Sequence, residues 1–130
     1  MCVRDALLVF IGAGLGGLLR WGIGVAVVAW LGTLRFPLAT FLANLIACIL
    51  IACLAGISFR GTCELSSGLR LFLITGFLGG LSTMSAFGLE TILLLKRGDW
   101  ICAGTNFALT LITCLGMIWF IFRKINLQTF

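Results

Sequence analysis

Residues 76–90, GFLGGLSTMSAFGLE, sit inside a long apolar run, yet they combine four glycines with three hydroxyl side chains and a terminal carboxylate. The run that holds them, 71–95, is about 25 residues and ~37 Å long if wholly helical, more than the ~30 Å of a hydrocarbon core. Gly79-Gly80 followed by Ser82-Thr83 marks a break point, because glycine weakens a helix. Unwound backbone frees carbonyl oxygens that can coordinate Na⁺ at membrane depth, and such backbone must be buried in protein. A continuous helix that is kinked or closely packed there is the rival reading.

The surrounding chain sets the class. It has 130 residues, 62% hydrophobic and only 10% charged. No soluble domain of this size buries that much apolar surface, so the chain reads as one integral membrane domain, 1–130. The net charge of +5 is no nucleic-acid signal, because the basic residues stand singly at the ends of apolar segments. The cysteines Cys2, Cys48, Cys53, Cys63, Cys102 and Cys114 form no CxxC pair and there is no histidine, so they read as small hydrophobes and not as ligands. The first segment is too long for a signal peptide and more spans follow it.

Four apolar runs are long enough to cross a bilayer: about 6–31, 36–59, 71–95 and 100–122. Backbone in lipid must bond internally, so all four read as helices with both termini on one side. Arg4, Arg60, Arg70, Arg123 and Lys124 lie on the terminal side, five against the three of Arg35, Lys96 and Arg97. That shallow bias favours cytoplasmic termini and is compatible with insertion in both orientations. Four short-looped helices make a poor pathway alone, which points to oligomerisation. The stripe of Gly12, Ala13, Gly16 and Gly17 in the first span suits close helix approach, between subunits or within one.

Polar residues inside a span are costly and face a partner or a water-filled path. Thr40 and Asn44 share a face of the second helix, as do Asn106, Thr110, Thr113 and Cys114 on the fourth. In the third, Ser82 and Ser85 are three apart, and Thr83 and Phe87 four apart. Arg20 and Glu90 are the only ionisable residues well inside a span. Neutral amide and hydroxyl donors suit a small anion, and an aromatic ring edge carries the positive end of its quadrupole. The competing reading has the hydroxyls bonding back to helix carbonyls or joining helices.

GLGGLLRW in the first span, FPLATFLAN opening the second and GFLGGLSTMSAFGLE in the third occur in that order. Together they resemble the CrcB/Fluc family of fluoride channels over nearly the whole chain. The resemblance implies an all-α, four-span subunit with a broken third helix, paired with an inverted copy as an antiparallel homodimer in a bacterial-type inner membrane. Some members pair non-identical sister subunits. It also implies two passive fluoride paths along the subunit interface and a structural, untransported Na⁺ held by main-chain carbonyls, here Gly79 and Ser82. Asn44 then corresponds to the pore asparagine, Met84 and Phe87 to the paired pore phenylalanines, and Asn106, Thr110 and Cys114 to the polar track. Thr40 and Ser85, as neutral donors inside the spans, are placed on the fluoride path as well. Arg20 and Glu90 match the family's Arg and Glu, as a vestibule charge or as an ion pair. Met84 stands where phenylalanine is usual, Asn106 where tyrosine is, Ser82 where threonine is and Cys114 where serine is. The resemblance therefore implies the same selectivity with altered conduction.

No GxxxxGK[ST] run is present, in keeping with passive flow and no enzymatic step. A small dual-topology multidrug or cation transporter is the alternative, but it needs an acid in the first span, where Arg20 stands. A helper subunit of a larger complex needs neither polar stripes nor a glycine break.

Overall fold

The structure, a computed structural model, describes residues 2–59 and 65–126. Arg60 and Cys63, used above for charge balance and cysteine spacing, lie outside the described residues. The described chain is helical. Helix α1 spans Val3–Leu31 and α2 spans Leu38–Phe59. The third crossing begins with α3, Ser67–Arg70, continues as a π-helical segment over Leu71–Leu78, and ends its first half with α4, Gly79–Leu81. Its second half is α5, Met84–Lys96, and α6 spans Trp100–Asn126. Four stretches are long and apolar enough to cross a membrane: Val3–Leu31, Leu38–Ser58, Ser67–Lys96 and Trp100–Ile125. The third begins four residues before the apolar run does, because the Ser66 hydroxyl accepts from the Leu69 amide at 3.4 Å and starts the helix in polar sequence.

Glycine ends α1 and opens the turn before α6. Gly32 (φ 71°) and Gly98 (φ 79°) take the left-handed region that side chains disfavour. The Gly32 amide closes α1 on the Val28 carbonyl at 2.9 Å.

The helices pair in sequence-distant fashion: α1 lies along the first half of the third crossing, and α2 lies along α6. Glycine makes the first pairing possible. A Cβ on Gly12 would meet the Phe72 carbonyl and the Phe77 amide, five residues apart as a π turn spaces them. A Cβ on Gly16 would strike the Phe77 carbonyl, one on Gly80 the Ala13 carbonyl, and one on Gly76 would stand 2.9 Å from the Val9 carbonyl. The small-residue stripe is thus used within one subunit at Gly12, Ala13 and Gly16, whereas Gly17 has open space beside it. Ala43, Ala47, Leu78 and Leu81 form the buried core, with Ile23, Ile51, Leu54 and Phe77 against it. Large apolar side chains such as Phe10, Ile101 and Ile112 point outward, as a lipid-facing surface requires, and Trp30 and Trp100 stand exposed at helix ends. The chain is an all-helical, multi-pass membrane protein.

Candidate functional site

The helical bonding of the third crossing stops after the Ser82 amide, which donates to the Leu78 carbonyl at 3.0 Å. Ser82 (φ −80°, ψ 151°) and Thr83 (φ −151°, ψ 111°) are extended, and α5 starts at Met84. Gly79 and Gly80 themselves remain helical. Thr83 is the N-cap of α5, its hydroxyl accepting from the Ala86 amide at 3.2 Å. The Thr83 amide would otherwise be orphaned, and it donates to Asn44 Oδ1 on α2 at 2.8 Å. That bond fixes the Asn44 amide: oxygen toward Thr83, nitrogen with its two hydrogens on the other side. Asn44 is buried.

Two backbone amides change partners as a result. In a continuous helix the Gly79 oxygen would accept from the Thr83 amide and the Ser82 oxygen from the Ala86 amide. Both amides are instead held by side-chain oxygens, Asn44 Oδ1 and Thr83 Oγ1. Gly79 and Ser82 are the two residues that the family resemblance implies for Na⁺. Neutral carbonyl oxygens relieved of their helical donors are a hard-cation ligand set, so these residues fit the ion.

On α2, one turn before Asn44, Thr40 donates to Glu90 Oε1 at 2.7 Å, while Glu90 Oε2 is buried without a hydrogen-bond partner. Glu90 closes one wall of a cavity of about 250 Å³ that Arg35 and Arg97 also line. Arg20 does not approach it. It is exposed and lines a separate cavity of about 300 Å³ with Trp21, Thr40 and Thr83. No ion pair joins Arg20 to Glu90 among the described residues; the carboxylate accepts from Thr40 instead. Thr40 lines the Arg20 cavity and reaches the Arg35–Arg97 cavity only through its bond to Glu90.

The fourth-helix stripe is largely satisfied from within. Asn106 is 1% exposed, its Nδ2 donating to Thr91 Oγ1 at 2.9 Å, and the Thr91 hydroxyl donates to the Phe87 carbonyl at 2.7 Å. Thr110 donates to Asn106 Oδ1 at 3.4 Å, and Thr113 to the Leu109 carbonyl at 2.6 Å. The buried Cys114 thiol faces Cys48 across the α2–α6 seam. Phe87 is buried and stacks on Phe107 with ring centroids 6.1 Å apart. Met84 is 73% exposed and Ser85, 3.0 Å from the Thr83 hydroxyl, is exposed too. These two stand away from the buried cluster, on the outer face of the single subunit. Thr91 and Phe107 were not among the candidates. Thr91 is signalled by its place one helical turn after Phe87, whereas nothing in the local sequence distinguishes Phe107 from a lipid-facing ring.

Residues 7–122 match the sequence model of the family described as CrcB-like protein, Camphor Resistance (CrcB). The chain belongs to the CrcB family. Among its relatives, a protein of Methylobacterium sp. (strain 4-46) is 46% identical over 94 residues, 72% of this chain and 73% of that one. One of Pyrococcus abyssi is 43% identical over 106 residues, covering 82% of this chain and 83% of that one. One of Methylobacillus flagellatus is 34% identical over 123 residues, 95% of each chain. All three carry the name fluoride-specific ion channel FluC. The CrcB match reaches into all four crossings and includes every candidate site residue named above.

Proposed function

We propose that this chain is a fluoride-selective, passive ion channel that exports fluoride from the cytoplasm and works as an antiparallel homodimer in a bacterial-type inner membrane. The observation that carries the reading is family membership with relatives named as fluoride-specific channels over most of their length. The local chemistry supports it. The Asn44 amide is oriented so that its nitrogen donates, as dehydration of a small anion requires. Phe87 adds a ring edge of positive potential. Met84 and Ser85 are exposed on the single subunit, and a second, inverted copy covering them would complete the path. Arg20 lines one cavity with Thr40, and Arg35 and Arg97 line another with Glu90, so guanidinium groups favour an anion at each.

Fluoride enters cells as neutral HF and dissociates inside. Export of the anion is then downhill, and a negative-inside potential adds ~2.3 kcal/mol per charge per 100 mV. The third crossing acts as a discontinuous helix whose Gly79 and Ser82 carbonyls, from both subunits, would hold one Na⁺. Bound there, that ion would supply a fixed positive charge for the Gly79 and Ser82 carbonyls to face. The chain's own residues do the rest: Asn44 donates, Thr83 holds Asn44 in place, and the apolar wall of Leu78 and Leu81 excludes water.

The test is efflux from liposomes loaded with fluoride or chloride, read by ion-selective electrodes under a favourable voltage. Fast fluoride release with chloride retained is the expected outcome. Vesicles that hold fluoride as tightly as protein-free ones exclude the function.

A further inference from the structure

We propose that Thr91 is a positioning residue for Phe87, acting as the middle link of a one-way hydrogen-bond chain that runs from α6 into the backbone of α5. Its transport readout rests on the fluoride-channel reading above; its geometry does not. The Thr91 hydroxyl has one hydrogen, and at 2.7 Å that hydrogen goes to the Phe87 carbonyl, which can only accept. The Thr91 oxygen must then accept from Asn106, so Asn106 presents nitrogen at 2.9 Å. Its oxygen is thereby turned to the Thr110 hydroxyl at 3.4 Å. The order Thr110, Asn106, Thr91, Phe87 has one polarity. Flipping Asn106 would set its oxygen against the Thr91 oxygen, two acceptors facing one another at a site 1% exposed.

A threonine that bonds back one turn along its own helix is common and mild. Here the back-bond is held by a buried amide on another helix. α6 therefore grips Phe87 twice, at the ring through Phe107 and at the carbonyl through Asn106 and Thr91. The grip matters because the backbone alone is loose at this point: the Phe87 amide reaches the Thr83 carbonyl at only 3.5 Å. The chain also uses the hydroxyl hydrogens of Thr91 and Thr110 internally. Thr91 and Thr110 thus do not offer those hydrogens to an anion, and with Asn106 they orient the ring edge.

Phe87–Gly88 is the only Phe-Gly pair in the sequence, so labelling with carbonyl-¹³C phenylalanine and ¹⁵N glycine isolates the Phe87 carbonyl by NMR. Thr91→Val should move that signal upfield and Thr91→Ser should leave it in place. Asn106→Leu, altered one helix away, should move it as well; Asn106→Ala serves if the leucine variant does not assemble. In fluoride- and chloride-loaded vesicles, Thr91→Val and Asn106→Leu should each lower fluoride flux by roughly tenfold, the scale of one buried hydrogen bond, and lower the fluoride-to-chloride ratio. The double variant should be no worse than either, and Thr91→Ser should retain both properties. An unmoved carbonyl signal in the Asn106 variants overturns the chain, and so does wild-type selectivity in Thr91→Val. Silence of the wild-type vesicles removes the fluoride reading instead, and the carbonyl signal still decides the chain.

Discussion

Asn44 has two separable duties, and substitutions can part them. Its oxygen caps the Thr83 amide and its nitrogen is the donor left over. Asn44→Asp keeps an acceptor for Thr83 but has no amide hydrogens, so fluoride efflux should vanish while the protein still elutes as an assembled species in size-exclusion chromatography. Asn44→Ala leaves a buried amide unsatisfied and should in addition cost about 1–3 kcal/mol, read as a lower thermal aggregation midpoint. If Asn44→Asp conducts like the wild type, the donor role is wrong. Phe87→Ile should abolish most flux with assembly intact, because bulk is kept and the ring edge is lost. The sequence made Asn44 visible, since an amide in an apolar helix needs a partner. It did not show which partner, because that depends on which backbone amide the third crossing orphans. The extended residues are Ser82 and Thr83, just beyond the glycines that drew attention to the segment. Arg20 and Glu90 were equally visible as charges, but whether two such groups meet is a matter of helix rotation that spacing within one helix does not contain.

Among the elements, contact between α1 and the third crossing is backbone against backbone. Gly16→Ala would drive a Cβ into the Phe77 carbonyl and should destabilise by about 1–3 kcal/mol, the usual scale of overpacking. Gly17→Ala, one residue on, meets nothing and should be neutral or gain ~0.5–1 kcal/mol from helix propensity. Equal midpoints for the two would mean that the close approach is absent. From sequence, the small residues of α1 gave a stripe but no direction; only the positions of Gly76 and Gly80 on the facing helix decide that Gly12 and Gly16 point inward. Helix type and number were legible because apolar length and backbone satisfaction leave no other solution in lipid. The π-helical stretch was not, since Leu71–Leu78 is as apolar as any ordinary crossing. The carbonyls at Gly79 and Ser82 carry a further expectation. Reconstitution with a large organic cation in place of Na⁺ should lower flux and the stability of the proposed dimer; indifference to the exchange excludes the ion.

At the scale of the whole molecule, the charge balance of five against three is close enough for insertion both ways. Gln128→Lys with Thr129→Lys, beyond the fourth apolar run in sequence, would make it seven against three. Reporter fusions should then show a single orientation, and fluoride efflux should fall until a copy of opposite bias is supplied. Full flux from a uniformly oriented population would rule out the inverted pair. The two extended residues also have a mechanical meaning. Along an unbroken helix turning ~100° per residue, Gly76, Gly80, Phe87 and Thr91 would all point within about 60° of one another. Yet the two glycines abut α1, while Phe87 and Thr91 are held by α6. Ser82 and Thr83 therefore work as a swivel: they let a single crossing turn its small side to one neighbour and its aromatic side to another, which a straight rod could not do.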